Sequence, residues 1–327
     1  MPAEHLAALL SARWGEPVAI SGLKRFHGGS ARQTYRFDAT GASGRHEALV
    51  LRRDPPASLI ETDRFTEFAA LQAFHGSAVP VPEPVACETA AFGSPGFLMR
   101  EVPGGMAAGL LEPEPYGAHA AAIGAQLFTA LGHIHRADPA AAGLASVAAA
   151  DAARLRLDHW RRAFEADRFR PEPIVEAAFR WLARTPVPAA QRVCVVHGDF
   201  RSGNVLHDGA GRLLAVLDWE MVHAGDPLED LAWACDPLWS HMSGRPGATL
   251  PLREAVAAWE AASGLAFDAG AFRWWQVFAQ AMGATIWISA AREIVDGRSH
   301  DPVLAFAGTL PYRFHMVTLS RLLEERW

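Results

Sequence analysis

Two short stretches of the chain hold side chains that together could manage a transferring phosphoryl group. One is His197-Gly198-Asp199-Phe200-Arg201-Ser202-Gly203-Asn204, and the other is Asp218-Trp219-Glu220, at the end of the next hydrophobic run. A carboxylate, an amide oxygen five residues later and a second carboxylate after a hairpin supply one acceptor for a hydroxyl proton and two hard oxygen ligands for Mg²⁺. Asp199 or Asn204 alone reads equally well as a turn former, because Asp, Asn and Gly dominate loops for local hydrogen-bonding reasons. The complete set is what points to chemistry. Other routes lack their residues. The single lysine, Lys24, follows Leu23, so there is no Walker A loop, and no H-E-x-x-H, paired C-x-x-C, G-x-S-x-G or G-x-G-x-x-G is present.

Something must bring these stretches together. Arg192 to Val196, Val205-Leu206 and Leu213 to Leu217 are short β-prone runs separated by turn residues, suggesting small strands that present loops from a mostly helical region. Helical patterns precede them, in alanine-rich segments ending in Leu131 to Asp138 and in stretches near 151–168 and 174–184. The first hundred residues differ. Pro17 to Ile20, Thr34 to Phe37 and Ala48 to Leu51 read as strands of an antiparallel sheet, with His27-Gly28-Gly29-Ser30 as a turn whose glycines allow a ligand close to backbone amides. Phe65, Phe68, Ala69, Leu71 and Phe74 mark a helix closed by Gly76 and a proline-rich run, and Phe97 to Met99 reads as the last strand before Pro103-Gly104-Gly105. The boundary between two domains is placed there, giving 1–102 and 103–327.

The catalytic-loop pattern H-G-D-x-x-x-x-N resembles that of the aminoglycoside phosphotransferase family, the small-molecule branch of the protein-kinase-like fold. Gly225-Asp226-Pro227 and Asp230-Leu231-Ala232 also match the stretch that follows in those enzymes. The resemblance implies an α+β, two-lobed fold, with a small antiparallel-sheet N-terminal lobe and a larger, mainly helical C-terminal lobe. It implies ATP and Mg²⁺ as cofactors, Asp199 as catalytic base, Asn204 and Asp218 as metal ligands, with Glu220 assisting, and His197 as a loop support. It also implies nucleotide contacts by the backbone near Ser30, by Arg52 where the family usually has lysine, by Glu67 on the helix, and by the backbone of Arg100 and Val102. Arginine at 52 keeps the positive charge and can pair with both Glu67 and phosphate oxygens.

Composition narrows the rest. The 327 residues are 50% hydrophobic, 20% charged and 9% aromatic, which reads as a soluble globular chain of about two domains at roughly 150 residues each. Thirty basic against 36 acidic residues give a net charge of −6, which offers no electrostatic reason to bind nucleic acid. Cys87, Cys194 and Cys235 are odd in number and widely spaced, arguing for buried free thiols in a reducing compartment. No run reaches the length of a membrane span, the N-terminus lacks the pattern of a secretory signal, and a cytoplasmic location is expected.

The expected partner is a small molecule presenting a hydroxyl. Trp233, Trp239, Trp259, Trp274, Trp275 and Trp287 follow the motif, most of them as packing residues, and any that line the acceptor cleft would favour a ring or apolar surface. An aminoglycoside is not expected, because a polycation wants clustered carboxylates and Glu254, Glu260 and Asp268 are scattered. The alternative, motivated by Arg52, is a kinase-like module that binds a nucleotide or metabolite without transfer.

Overall fold

The computed structural model describes residues 3–26, 33–54, 64–109, 112–187 and 189–324. The chain opens with helix α1 (Ala3–Trp14), then strands β1 (Val18–Phe26), β2 (Gln33–Gly41) and β3 (His46–Arg53), helix α2 (Arg64–Phe74), and strands β4 (Pro84–Glu88) and β5 (Gly96–Arg100). These five strands form one antiparallel sheet in the order β1-β2-β3-β5-β4. The expected strands and helix are all present. Helix α1 and strand β4 are additions that the sequence patterning did not suggest, and β5 lies inside the sheet.

Successive strand residues face opposite sides, so the sheet feeds two cores. Leu49, Leu51 and Leu98 pack with Leu6 and Leu10 of α1 and with Phe37 on one face. On the other, Phe97 and Leu71 and Phe74 of α2 join the large core of the helical region. The Phe74 ring stacks on Trp219 at 4.7 Å between centroids. Burying an aromatic ring of this size contributes roughly 1.5–3 kcal/mol. That contact ties α2, which carries Glu67, to the loop after Asp218.

Beyond residues 103–105 the chain enters strand β6 (Met106–Ala107), helices α3 (Ala120–Ile134), α4 (Ala152–Asp167) and α5 (Pro173–Arg184), and then strands β7 (Cys194–Val196), β8 (Val205–His207), β9 (Leu213–Val216) and β10 (His223–Gly225). Strands β6, β8 and β9 form a three-stranded sheet, and β7 pairs with β10. Five helices follow: α6 (Pro227–Ala234), α7 (Leu252–Ser263), α8 (Ala269–Val295), α9 (Pro302–Ala307) and α10 (Leu310–Glu324). The architecture is the expected α+β, kinase-like one. No helix among the described residues is long and apolar enough to cross a membrane.

Asp226 caps α6 by accepting from the Leu228 N–H at 2.9 Å, with Pro227 at the first helical position. Burial pushes its carboxyl up to about 6. The native state therefore holds this proton more tightly than the unfolded chain does, and the stability tied to it falls as pH rises from about 4 through 6. Asparagine caps as well as aspartate and carries no charge to bury. Asp226→Asn is expected to raise Tm at pH 8, by a stability increment of at most roughly 3 kcal/mol, and to lose that advantage below pH 4. Thermal unfolding across pH measures it.

The cysteines are free. Cys194 is buried and Cys87 and Cys235 are half-buried, so only the first matches the expectation of full burial. Burial pushes the Cys194 and Cys235 thiols upward, which leaves them protonated and chemically quiet.

Candidate active site

The loop after β7 turns sharply at Gly198, whose φ is +84° and whose missing side chain matters, since a Cβ there would collide with the Met221 carbonyl. That turn brings Asp199 to the surface of the helical region. Three side chains then converge on its carboxylate. The Asn204 amide nitrogen donates to Oδ2 at 2.6 Å and to the Asp199 backbone carbonyl at 2.9 Å. The Trp233 indole N–H donates to Oδ1 at 2.7 Å, and Arg201 Nε donates to both oxygens at 3.1 and 3.3 Å. Asp199 is thus an oriented carboxylate rather than a free turn residue.

Asn204 and Asp218 meet through the backbone. Val205 pairs with Val216 across the β8–β9 ladder, and the Leu217 N–H donates to the Asn204 carbonyl at 2.8 Å. Asp218 sits in the left-handed region at φ 65°, a conformation that costs a non-glycine residue roughly 1 kcal/mol or more and turns its carboxylate back toward the sheet. Both amide protons of Asn204 are engaged with Asp199, so its side-chain oxygen is the atom able to take a cation.

Arg52 spans the gap between the two regions. Its Nη1 donates to Glu67 Oε1 and its Nη2 to Asp218 Oδ1, each at 2.8 Å, and Glu220 Oε2 lies 3.9 Å from Nη2. Burial opposes the guanidinium charge, but Asp218, Glu67 and Glu220 outweigh it and hold Arg52 protonated. Burial likewise raises Asp218, yet Arg52 and then Arg201 hold it below the usual carboxylate range, so it is an anion. Glu67 also pairs with buried Arg64. Lys24, exposed on β1 and separated from Arg52 by all of β2, does not enter.

The loop is held from below. Asp230, fully buried on α6, accepts from the backbone N–H groups of His197 at 2.6 Å and Gly198 at 2.8 Å. It also faces His135 Nε2 at 3.2 Å, while the Trp259 indole donates to His135 Nδ1 at 2.8 Å. An indole nitrogen only donates, so Nδ1 must accept and Nε2 must carry the proton that reaches Asp230. His197 works the same way, receiving the Asp199 N–H on Nδ1 and donating from Nε2 to the Leu217 carbonyl at 2.9 Å. It connects the two stretches that sequence spacing singled out.

Of the expected site residues, Asp199, Asn204, Asp218, Arg52 and Glu67 come together. Arg100 and Val102 lie at the other end of the β3–β5 pair, where Arg100 faces Leu49 while Arg52 faces Phe97. The Arg100 N–H is already used by the Glu83 carbonyl, and the Val102 carbonyl accepts from the Gly105 N–H. Ser30 lies outside the described residues. Sequence reasoning missed Trp233 and Arg201 as partners of Asp199. Arg201 stood within the motif, whereas Trp233 carried no signal beyond being one of several tryptophans. The remaining tryptophans mostly pack, with Trp259, Trp274 and Trp275 inside the core.

A small sheet against a helical region, with an oriented aspartate, an amide and a second carboxylate at their junction, defines a kinase-like phosphotransferase. The chain belongs to the phosphotransferase enzyme family (APH), whose model matches residues 22–275. Its structure is similar to that of a candidate aminoglycoside phosphotransferase from Ralstonia eutropha JMP134, with a TM-score of 0.73 at 20% identity, covering 99% of this chain and 98% of that one. It is also similar to a thermostable mutant of aminoglycoside phosphotransferase APH(4)-Ia in ternary complex with ADP and hygromycin B, with a TM-score of 0.62 at 17% identity over 98% of each chain. In sequence it is 28% identical over 227 residues to acyl-CoA dehydrogenase family member 11 of Gallus gallus, covering 67% of this chain and 28% of that protein. Against family member 10 of Mus musculus the identity is 31% over 238 residues, covering 71% of this chain and 21% of that protein. The chain spans about a quarter of the length of these relatives.

Proposed function

We propose that the protein transfers the γ-phosphoryl group of Mg²⁺-bound ATP to a hydroxyl group of a small molecule. The observation that carries this reading is the convergence of Asp199, Asn204 and Asp218, with Arg52 reaching the same point from the sheet. Asp199 accepts and orients the acceptor hydroxyl, its carboxylate fixed by the Trp233 and Asn204 donors. Arg52 holds phosphate oxygens while Glu67 holds Arg52. At the far end of the β3–β5 pair, the Arg100 carbonyl and Val102 N–H take the adenine edge.

The donor set suits Mg²⁺. Among the described residues no three His, Cys, Asp or Glu side chains form a cage of their own. A carboxylate held anionic and an amide oxygen are what Mg²⁺ takes from a protein when phosphates and water complete its shell. Bound there, the ion would offset negative charge on the β- and γ-phosphates. Arg52 must then yield Asp218 and turn toward the nucleotide, which makes its present bridge a resting arrangement.

The acceptor is not a polycation in this reading. Asp268 is used to cap α8, accepting from Gly270 and Ala271, and Glu260 accepts from the Phe267 N–H. These carboxylates serve the fold. A neighbour in fold, in ternary complex with ADP and hygromycin B, supports a nucleotide and a small-molecule acceptor.

Binding and transfer are tested together. Mg²⁺-ATP at about 100 times its Kd should stabilise the protein by about 2.7 kcal/mol, a Tm rise of a few degrees. A panel of alcohols screened by mass spectrometry should yield a phosphorylated product. Asp218→Ala should weaken Mg²⁺-ATP binding roughly 10-fold or more, since even the outer partners of metal ligands cost 10- to 100-fold. Unchanged affinity would remove Asp218 from the metal site, and stabilisation without product across the panel would favour the binding module.

A further inference from the structure

We propose that Arg201 is a catalytic residue: a cation built into the catalytic loop that binds the γ-phosphoryl group during transfer. The inference rests on the phosphotransfer reading above and adds a group that the motif does not specify.

Its placement is the argument. Arg201 leaves an extended backbone, φ −153° and ψ 166°, and its side chain folds back along the loop so that Nε bonds Asp199. The guanidinium carbon stands 4.7 Å from the centre of the Trp239 ring, which fixes the plane by a cation–π contact. A Cβ on Gly203 would collide with Nη1, so the glycine leaves the channel that this conformer needs. Among the described residues nothing bonds Nη1 or Nη2, although the side chain is only 26% exposed.

Charge adds a second line. The Nε contact with Asp199 places the positive charge beside the carboxylate that orients the acceptor hydroxyl, and therefore beside the group transferred to that hydroxyl. The transferring group must pass through that space. Arg52, bonded to Glu67 and Asp218, serves the nucleotide side of that space, and Arg201 serves the side of the base. Arg201 has one nitrogen on the base and two that no described residue bonds, and a guanidinium fork suits the oxygens of a phosphoryl group.

In the step itself, the acceptor hydroxyl oxygen forms a bond to the γ-phosphorus as the bond from phosphorus to the β–γ bridging oxygen breaks. The hydroxyl proton goes to Asp199 and the bond's electron pair leaves with ADP. Arg201 stays protonated throughout and donates to the equatorial oxygens, a role that in related chemistry is worth about 10³–10⁵ in rate.

The test needs no acceptor. Calorimetry gives the affinities of wild type, Arg201→Gln, Arg201→Lys and Gly203→Ala for Mg²⁺-AMP-PNP and Mg²⁺-ADP, and phosphate release reports slow ATP hydrolysis. Arg201→Gln should lose about 10-fold more affinity for the triphosphate than for ADP and about 100-fold in phosphate release. Arg201→Lys should fall between it and wild type, and Gly203→Ala, which displaces Nη1 but keeps the charge, should change the preference in the same direction by less than Arg201→Gln. A residue that only steadies Asp199 would lower turnover while leaving the preference for triphosphate over diphosphate intact. That intact preference in Arg201→Gln overturns the proposal alone, whereas a wild type that binds neither nucleotide overturns the phosphotransfer reading and this role with it.

Discussion

Asp199→Ala should reduce phosphoryl transfer by about 10²–10⁴-fold, the scale of removing a positioned general base, while Mg²⁺-ATP affinity stays within about twofold of wild type. The separation follows from geometry. Asp199 touches Trp233, Arg201 and Asn204 but not Arg52, Glu67 or Asp218, which are joined to one another by the Arg52 bridge. Loss of its carboxylate leaves Asn204 bonded to the backbone carbonyl of residue 199, so the loop keeps one of its two Asn204 contacts. Calorimetry with AMP-PNP beside single-turnover kinetics reads both quantities. A variant with full turnover would remove Asp199 from the chemistry, and a large loss of nucleotide affinity would move it to the metal site.

The chemistry-bearing residues were legible because the motif is local. His197 to Asn204 lie within eight positions, and Asp218 follows one hairpin later, so spacing alone placed the carboxylate, the amide and the second carboxylate near one another. Arg52 and Glu67 were legible through the resemblance, and their 2.8 Å pair follows from α2 packing on β4 and β5, next to β3 in the sheet. Trp233 was not legible. Its bond to Asp199 spans 34 residues and depends on how α6 packs under the loop, which no periodicity in the sequence encodes. Helix α1 was missed because its apolar stretch is short. Strand β4 was missed because it begins at Pro84 directly after a proline-rich run that reads as a break, and proline is tolerated there because β4 is an edge strand. The tryptophans were ambiguous for a related reason: a side chain that fills a core and one that walls a cleft have the same helical spacing.

Asp230→Asn should lower stability by about 3–5 kcal/mol and slow transfer, even though the substitution is isosteric. Its two oxygens accept from three fixed donors: the His197 amide and His135 Nε2 on Oδ2, and the Gly198 amide on Oδ1. An asparagine has one accepting oxygen, so its amino group must face at least one of those donors. His135 cannot adapt by shifting its proton, because the Trp259 indole already requires Nδ1 to accept. Burial raises the Asp230 carboxyl, but His135 and the His197 amide outweigh that and hold it below the ordinary carboxylate value of 3.8. Its stabilising contribution is therefore present above pH 4 and lost as pH falls through the lower folded value, so the Tm gap between wild type and variant should close in acid. The neighbouring buried aspartate behaves oppositely. Asp226 has a carboxyl raised to about 6 despite the capping Leu228 N–H and the nearby Trp275 indole, and asparagine keeps the capping bond, so the same substitution four residues earlier stabilises at pH 8. The contrast lies in which effect wins: three close donors hold the Asp230 carboxyl down, whereas burial outweighs the donors at Asp226 and pushes it up. If both variants shifted Tm in the same direction at pH 8, the Asp230 contacts would not be what holds the catalytic loop.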